Sequence, residues 1–288
     1  MVRNMELNME MTDTHTHTWY SGHGDGTVAE VVAVAVARGL TTVALTEHLP
    51  LPPEVDPTGT FAMTEDQVAP YLEEIERARK EYPGIEIICG IEVDWREGAE
   101  GYILERLGPY ELVLGSVHML SDAAGNVWEF DHPAYIDGWQ ERGEEQVWSE
   151  YLRLWSDAVR SAVPFDVMTH PDLPKKLGFK PRFDPREMYA TMAEVAASKD
   201  VLIEANTSGL YKPVAELYPG PALLRAFREA GVGCTVSSDA HTPGDVARSL
   251  DAAHAAMRAA GYTHVTVPTR TGDRRLIALE ELGGTRTV

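Results

Sequence analysis

Cysteine is nearly absent from this chain: Cys89 and Cys234 are the only two, and both sit in apolar runs that read as buried strands. Two thiols so far apart make neither a disulfide framework nor a thiolate metal site. Basic residues are also scarce, 25 Lys and Arg against 45 Asp and Glu, for a formal net charge of -20. That balance argues against a broad surface for long nucleic acid. Long apolar runs are missing too: Val28 to Ala37 is apolar for about ten residues, interrupted by Glu30, too short to span a bilayer. No opening segment pairs a basic start with an apolar stretch, so no signal peptide is expected and the cytoplasm is the expected compartment. Repeats, low-complexity tracts and linker-like segments are lacking, which favours one domain over residues 1–288. A chain of 288 residues with 44% hydrophobic content suffices for one large core, and α/β barrels commonly reach this length.

What the chain does have is a regular alternation of strand and helix patterns. Leu7, Met9 and Met11 alternate into a first strand that ends near His17. Apolar or β-branched runs follow at Thr41 to Thr46, Ile85 to Val93, Glu111 to Val117, Phe165 to Thr169, Val201 to Ala205 and Val232 to Ser237, with a last short strand at His264 to Val267. Between them lie helix patterns, among them Thr27 to Arg38, Asp66 to Tyr82, Gly98 to Leu107, Glu145 to Val163, Pro185 to Ser198, Pro221 to Ala230 and Val246 to Ala260. Thr27 is the expected N-cap of the first helix and Gly39 its stop. Strands apolar along their whole length belong to a parallel sheet buried on both faces. The number of strand–helix units fits a closed α/β barrel, with an open doubly wound sheet as the alternative. The stretch from Met119 to Glu145, with Trp128, Phe130, Tyr135 and Trp139, reads as a long irregular loop over the site.

The histidines select the strand ends. His15 and His17 close the first strand, and residues i and i+2 of an extended strand share a face, so both imidazoles can aim at one point. His23 follows in the next loop, His48 ends the second strand, Glu92 lies near the end of the third, and His118 and His170 end the fourth and fifth. Asp239 and His241 end the seventh. In a parallel barrel all carboxyl ends meet on one face, so nine side chains that bind metal well converge on one rim. Any one of them alone could be a satisfied structural group; scattered structural histidines have no reason to choose strand ends together. With nitrogen and oxygen donors and no thiolate, zinc, iron and manganese all fit.

The motifs His15-Thr16-His17, Thr46-Glu47-His48, Gly90-Ile91-Glu92, Gly115-Ser116-Val117-His118, His170-Pro171-Asp172 and Ser238-Asp239-Ala240-His241, spanning residues 13–241, resemble the polymerase and histidinol phosphatase (PHP) family. The resemblance implies a distorted seven-stranded, TIM-like (β/α)7 barrel and a three-metal centre. It implies one metal on His15, His17, Glu92 and Asp239, a second on His118 and His170 with Glu92 bridging, and a third on His23, His48 and His241. Within the family the chain is most similar to stand-alone histidinol-phosphate phosphatases, through Gly115 to Leu120 with Trp128 to Asp131, His170 to Lys176, and Glu204 to Pro213. One departure is Tyr211, where an arginine is expected; if that arginine binds phosphate in relatives, another cation serves here.

The implied activity is that of a phosphoric monoester hydrolase, releasing phosphate from L-histidinol phosphate in histidine biosynthesis through a metal-bridged hydroxide. Asp239, His241 and Glu92 are the expected catalytic residues. Lys175, Lys176, Arg182, Lys212 and Arg270 are candidate phosphate-binding cations, Trp128 a candidate substrate platform, and Asp131, Asp137 and Asp172 candidate partners for a cationic substrate end. Alternatives are another substrate on the same site (nucleotide, oligonucleotide or phosphotyrosine) and a non-catalytic PHP interaction module.

Overall fold

The computed structural model describes residues 10–121 and 127–282. Leu7 and Met9, part of the expected first strand, lie outside the described residues. The elements in chain order are β1 (Met11–Thr16), α1 (Val28–Ala37), β2 (Leu40–His48), α2 (Val68–Glu81), β3 (Glu86–Asp94), α3 (Glu100–Leu104), β4 (Leu112–Ser116), β5 (Met119–Ser121), β6 (Val127–Glu129), α4 (Asp137–Arg142), α5 (Glu144–Arg160), β7 (Val167–Met168), α6 (Arg186–Lys199), β8 (Leu202–Asn206), α7 (Pro221–Glu229), β9 (Cys234–Ser237), α8 (Leu250–Ala260), β10 (His264–Pro268) and β11 (Arg274–Ala278).

Seven strands form one sheet in the order β1-β2-β3-β4-β7-β8-β9, and every pairing in it is parallel. The sheet curls until its edges nearly meet. Asp239 N donates to His15 O at 2.9 Å and His17 N to Ala240 O at 2.8 Å, so the chain just past β9 pairs with β1. The barrel is therefore almost closed, and the open doubly wound alternative is set aside. Ala44, Ile88, Leu112, Leu114, Val167 and Leu202 fill its interior, and the larger core lies between strands and helices.

The helices pack as their patterns dictate. Thr27 and Glu30 cap α1 reciprocally, with Glu30 N to Thr27 Oγ1 at 3.2 Å and Thr27 N to Glu30 Oε2 at 2.8 Å, so two orphan donors of the first turn are satisfied. In α5 the buried stripe Val147, Trp148, Tyr151, Leu154, Trp155 and Ala158 follows helical spacing. Among the described residues, no helix is long and apolar enough to cross a membrane.

Three expectations change. The Met119 to Glu145 segment is not wholly irregular: β5 and β6 form a hairpin and α4 follows. Trp139 and Phe130 are buried, Trp139 stacking on Phe179 at 4.2 Å, so burial of aromatic area holds the segment down. The fifth strand shrinks to Val167–Met168. The helix expected from Val246 begins at Leu250, because Ala247 and Ser249 take positive φ values (57° and 58°) that no α-helix accommodates. The eighth expected strand, β10, stands outside the seven-stranded sheet, as that strand count requires, and pairs antiparallel with β11. Arg270 and Arg275 of that hairpin reach Glu111 and Glu86, at the amino ends of β4 and β3.

Candidate metal centre

All nine residues marked by the strand-end pattern meet at the carboxyl end of the barrel. His15 and His17 leave β1 on the same side, their Nε2 atoms 2.9 Å apart. Glu92, on β3, stands at the middle. Its Oε2 lies 3.3 Å from His15 Nε2 and 3.5 Å from His17 Nε2, while its Oε1 lies 3.1 Å from His170 Nε2 and 3.8 Å from His118 Nε2. One carboxylate thus faces two histidine pairs, one through each oxygen. Asp239 Oδ1 completes the first group at 3.6 Å from His17 and 3.8 Å from His15, its Oδ2 being held by Ser208 Oγ at 3.1 Å and Asn206 Nδ2 at 3.2 Å. On the outer side His23 Nε2 and His241 Nε2 approach to 3.0 Å, and the His48 ring stacks on His23 at 5.2 Å between centroids. His48 also turns Nδ1 to within 3.1 Å of Glu92 Oε2, so it stands between the outer group and the centre.

These contacts fit shared cations better than mutual hydrogen bonding. Two imidazole nitrogens at about 3 Å repel unless a proton or cation lies between them. The buried Nδ1 atoms of His48, His118 and His170 have no hydrogen-bond partner among the described residues. For His48 this holds despite its closeness to Glu92, because the distance lacks hydrogen-bond alignment. Of these three, only His48 Nδ1 faces Glu92, His118 and His170 turning Nε2 to it, so the close nitrogen pairs around Glu92 carry the fit to metal. The set is nitrogen and oxygen only, as zinc, iron or manganese accept; the two thiols are buried elsewhere.

Ionisation follows from crowding. Burial disfavours charge on Glu92, yet His15 and His48 beside it hold its carboxyl well below the usual range. Asp239 is likewise held low against burial by His15, His17 and His241. Burial, with His241 nearby, lowers His17 to about 3, while for His15 the carboxylates of Glu204, Glu92 and Asp239 outweigh burial and raise it.

A supporting layer escaped the strand-end pattern. Glu204, fully buried on β8, accepts from His15 Nδ1 at 3.1 Å, His170 N at 2.9 Å, Asn206 Nδ2 at 2.8 Å and Ser237 Oγ at 2.8 Å. Ser21 links Glu47 to His17, with Ser21 Oγ 2.9 Å from His17 Nδ1 and donating to Glu47. Burial pushes Glu47 up to about 7. Asp94 accepts from His118 N at 2.8 Å and lies 3.4 Å from its Nδ1. Asp13 takes the Ser238 and Ala247 backbone amides and fixes the loop bearing Asp239 and His241. The available signal was a carboxylate inside an apolar strand: Glu204 follows Leu202 and Ile203, and Asp94 shares a face with Glu92 two residues on. Carboxylates of this kind fix tautomer and ring orientation for metal-binding histidines. His170 (φ 24°) and Asp239 (φ 52°) have positive φ without being glycine, a strain that the bonds to Glu204 and to His15 O hold in place.

Over the rim opens a cavity of about 530 Å³, lined by the outer ligands together with Phe61, Glu129, Asp131, Tyr135, Lys176, Lys212 and Tyr218. Several expected substrate residues are elsewhere. Lys175 is buried against Asp172 at 2.8 Å and Glu216 at 2.9 Å, its charge spent in the wall, and Asp172 is spent with it. Arg182 is exposed beside Glu144 and lines a different groove. Trp128 packs on Trp139 and donates Nε1 to Tyr135 O at 3.0 Å, outside the cavity lining. Arg270 is at the amino end of the barrel, and Asp137 lies in α4, outside the lining. Lys176 and Lys212 do line the cavity, as does Asp131, which pairs with Lys176 at 2.6 Å. Glu129, which the sequence pattern did not single out, joins them.

Comparison with known proteins places the chain by family and fold. The PHP domain pattern matches residues 13–208. The chain is 36% identical over 240 residues to the probable histidinol-phosphatase of Deinococcus radiodurans, covering 82% of this chain and 88% of that protein. It is 29% identical over 271 residues to the histidinol-phosphatase of Bacillus subtilis, covering 85% and 98%. The fold matches the histidinol phosphate phosphatase of Lactococcus lactis, solved with zinc, L-histidinol and phosphate, at TM-score 0.75 and 21% identity over 92% of this chain and 99% of that one. The structure of a probable histidinol phosphatase from Listeria monocytogenes matches at TM-score 0.78 and 24% identity, over 84% of this chain and 99% of that one. With its barrel, its rim of histidines and carboxylates and these matches, the chain belongs to the PHP domain family.

Proposed function

We propose that this protein is a metal-dependent phosphomonoesterase that hydrolyses L-histidinol phosphate to L-histidinol and phosphate. The observation that carries the reading is Glu92, one carboxylate facing two histidine groups through opposite oxygens beneath a cavity of small-molecule size. Support for the substrate comes from the relatives: the Deinococcus radiodurans and Bacillus subtilis proteins carry histidinol-phosphatase names over most of their length.

In this reading His15, His17, Glu92 and Asp239 would hold one ion, Glu92, His118 and His170 a second, and His23, His48 and His241 a third. When bound, such ions lower the pKa of water and neutralise charge that builds on phosphoryl and leaving oxygens. The chain's own residues do the rest. Lys212 lines the cavity and offsets the charge of a phosphate ester, while Lys176 is neutralised by Asp131. Glu129 presents a carboxylate to the cationic end of histidinol. Asp239 and His241 face the cavity, where either would take the proton of the attacking water as its oxygen bonds to phosphorus and return that proton to the ester oxygen as the old P–O bond breaks and the alcohol leaves. Phe61, Leu173 and Tyr218 give the cavity its apolar wall.

The test is phosphate release from L-histidinol phosphate beside a panel of nucleotides and phosphotyrosine, on protein of measured metal content. A clear preference for histidinol phosphate is expected; equal or better turnover of the others would move the substrate elsewhere and spare the centre.

A further inference from the structure

Beside the main cavity lies a smaller one of about 60 Å³. The two share Ser208, Lys212, Asp239 and His241, so the small cavity adjoins the candidate centre. Its far wall carries Arg248 and Tyr211. The Arg248 guanidinium sits 3.2 Å from the centroid of the Tyr211 ring, an arrangement that holds a cation over an aromatic face. Asp245 engages Nη1 alone, at 2.7 Å, which leaves the remainder of a planar fork of donors for a further ligand.

The backbone around Arg248 is unusually constrained for a loop. Its neighbours Ala247 and Ser249 both take positive φ. Ala247 N is tied to buried Asp13 at 2.7 Å, the Arg248 carbonyl accepts from Thr207 Oγ1 at 2.7 Å, and Ser249 Oγ meets Tyr211 OH at 2.5 Å. The same Asp13 anchors the Ser238 amide next to Asp239. Arg248 is therefore positioned by the group that positions the candidate ligands. Of the other cations near the rim, Lys176 is committed to Asp131 and Lys175 is locked in the wall, while Lys212 has no carboxylate partner within 4 Å among the described residues.

We propose that Arg248, carried on the Tyr211 ring and paired with Lys212, forms the subsite for the non-bridging oxygens of the substrate's phosphoryl group. This rests on the phosphomonoesterase reading above. A guanidinium fork matches two phosphoryl oxygens at once, which a lysine cannot do, and a small polar void closed by Ser208 suits a phosphoryl group better than an imidazole or an alkyl chain. Tyr211 is then a positioning residue: its ring sets the guanidinium plane, and its hydroxyl fixes Ser249.

The experiment is calorimetric titration of inorganic phosphate into the metal-loaded protein, with metal content measured for every variant. Arg248→Met should weaken phosphate binding about tenfold to a hundredfold, the effect of one lost charge-assisted hydrogen-bond set. Arg248→Lys should recover part of that loss. Tyr211→Ala should weaken it about twofold to fivefold, as expected for an exposed cation–π contact. In turnover, Arg248→Met should raise KM more than it lowers kcat. Phosphate binding by fully metallated Arg248→Met within twofold of the unchanged protein would overturn the proposal. If Arg248→Met loses metal or fails to fold, Arg248→Lys and Tyr211→Ala decide by the same titration, and unchanged binding in both overturns it. Because inorganic phosphate carries no alcohol, Arg248-dependent binding without hydrolysis of histidinol phosphate would sink the substrate assignment and leave this subsite standing.

Discussion

Glu204→Gln isolates what the buried layer beneath the centre contributes. The substitution keeps shape and removes one negative charge from a carboxylate that accepts four hydrogen bonds. An amide accepts only through its oxygen, so one edge of the former carboxylate becomes a donor. If the NH2 takes the Oε1 position, it confronts the His170 backbone amide and the Asn206 Nδ2, and the backbone amide cannot adapt. If it takes the Oε2 position, Ser237 can rotate, but His15 Nδ1 loses its 3.1 Å acceptor and keeps only the 3.3 Å approach to Oε1, which already accepts from His170 N and Asn206 Nδ2. His15 then keeps a weaker, shared bond or moves its proton to Nε2, the nitrogen that faces Glu92 and His17. One buried donor left unmet costs about 1–3 kcal/mol, and loss of a carboxylate behind a metal-binding histidine lowers metal affinity about 10- to 100-fold. The assay is competition with a chelator of known affinity, with thermal unfolding of the metal-free protein as control. A folded Glu204→Gln protein that retains metal as tightly as the parent would refute the claim that this carboxylate sets the His15 tautomer.

Three other outcomes are expected. Glu92→Ala should abolish turnover of every phosphate ester and lower bound metal by more than one site, since both Glu92 oxygens face histidine pairs; elemental analysis with full metal retention would contradict the bridging role. His254, buried in α8, has its pKa lowered to about 4 by burial, reinforced by Arg258 and opposed by Asp251. The unfolded chain takes up this proton below about pH 6.5 and the folded chain only near 4, so the stabilisation is complete above 6.5 and lost as pH falls, on the order of 3 kcal/mol. Urea unfolding between pH 7 and 4.5 should show a shallower loss in His254→Leu, and parallel curves would remove His254 as the cause. Trp139→Ala should destabilise by about 3–5 kcal/mol, because the ring is buried, stacks on Phe179 at 4.2 Å and donates Nε1 to Phe130 O at 2.7 Å; denaturant titration showing under about 1 kcal/mol would mean the 127–142 segment is not packed as described.

The sequence by itself determined the barrel and the rim. Strand alternation and helix caps are local properties, and a parallel barrel gathers strand ends on one face whatever the loops do, so His15 through His241 could be placed without coordinates. The partners of those ligands were decided by the tertiary structure. Glu204 supports His15 from far along the chain because β8 and β9 bring it under β1, and no local pattern carries that information. Adjacent Lys175 and Lys176 read alike in sequence, yet one is buried against Asp172 and Glu216 while the other faces the cavity, since a tight turn points neighbouring side chains apart. Arg248 drew no notice because the sequence pattern placed it in the first turn of a helix; it matters because the chain past β9 instead folds back to lay it on Tyr211 beside Asp239 and His241. The candidate ligands follow from strand ends, but the charge, orientation and access of each depend on contacts across the barrel.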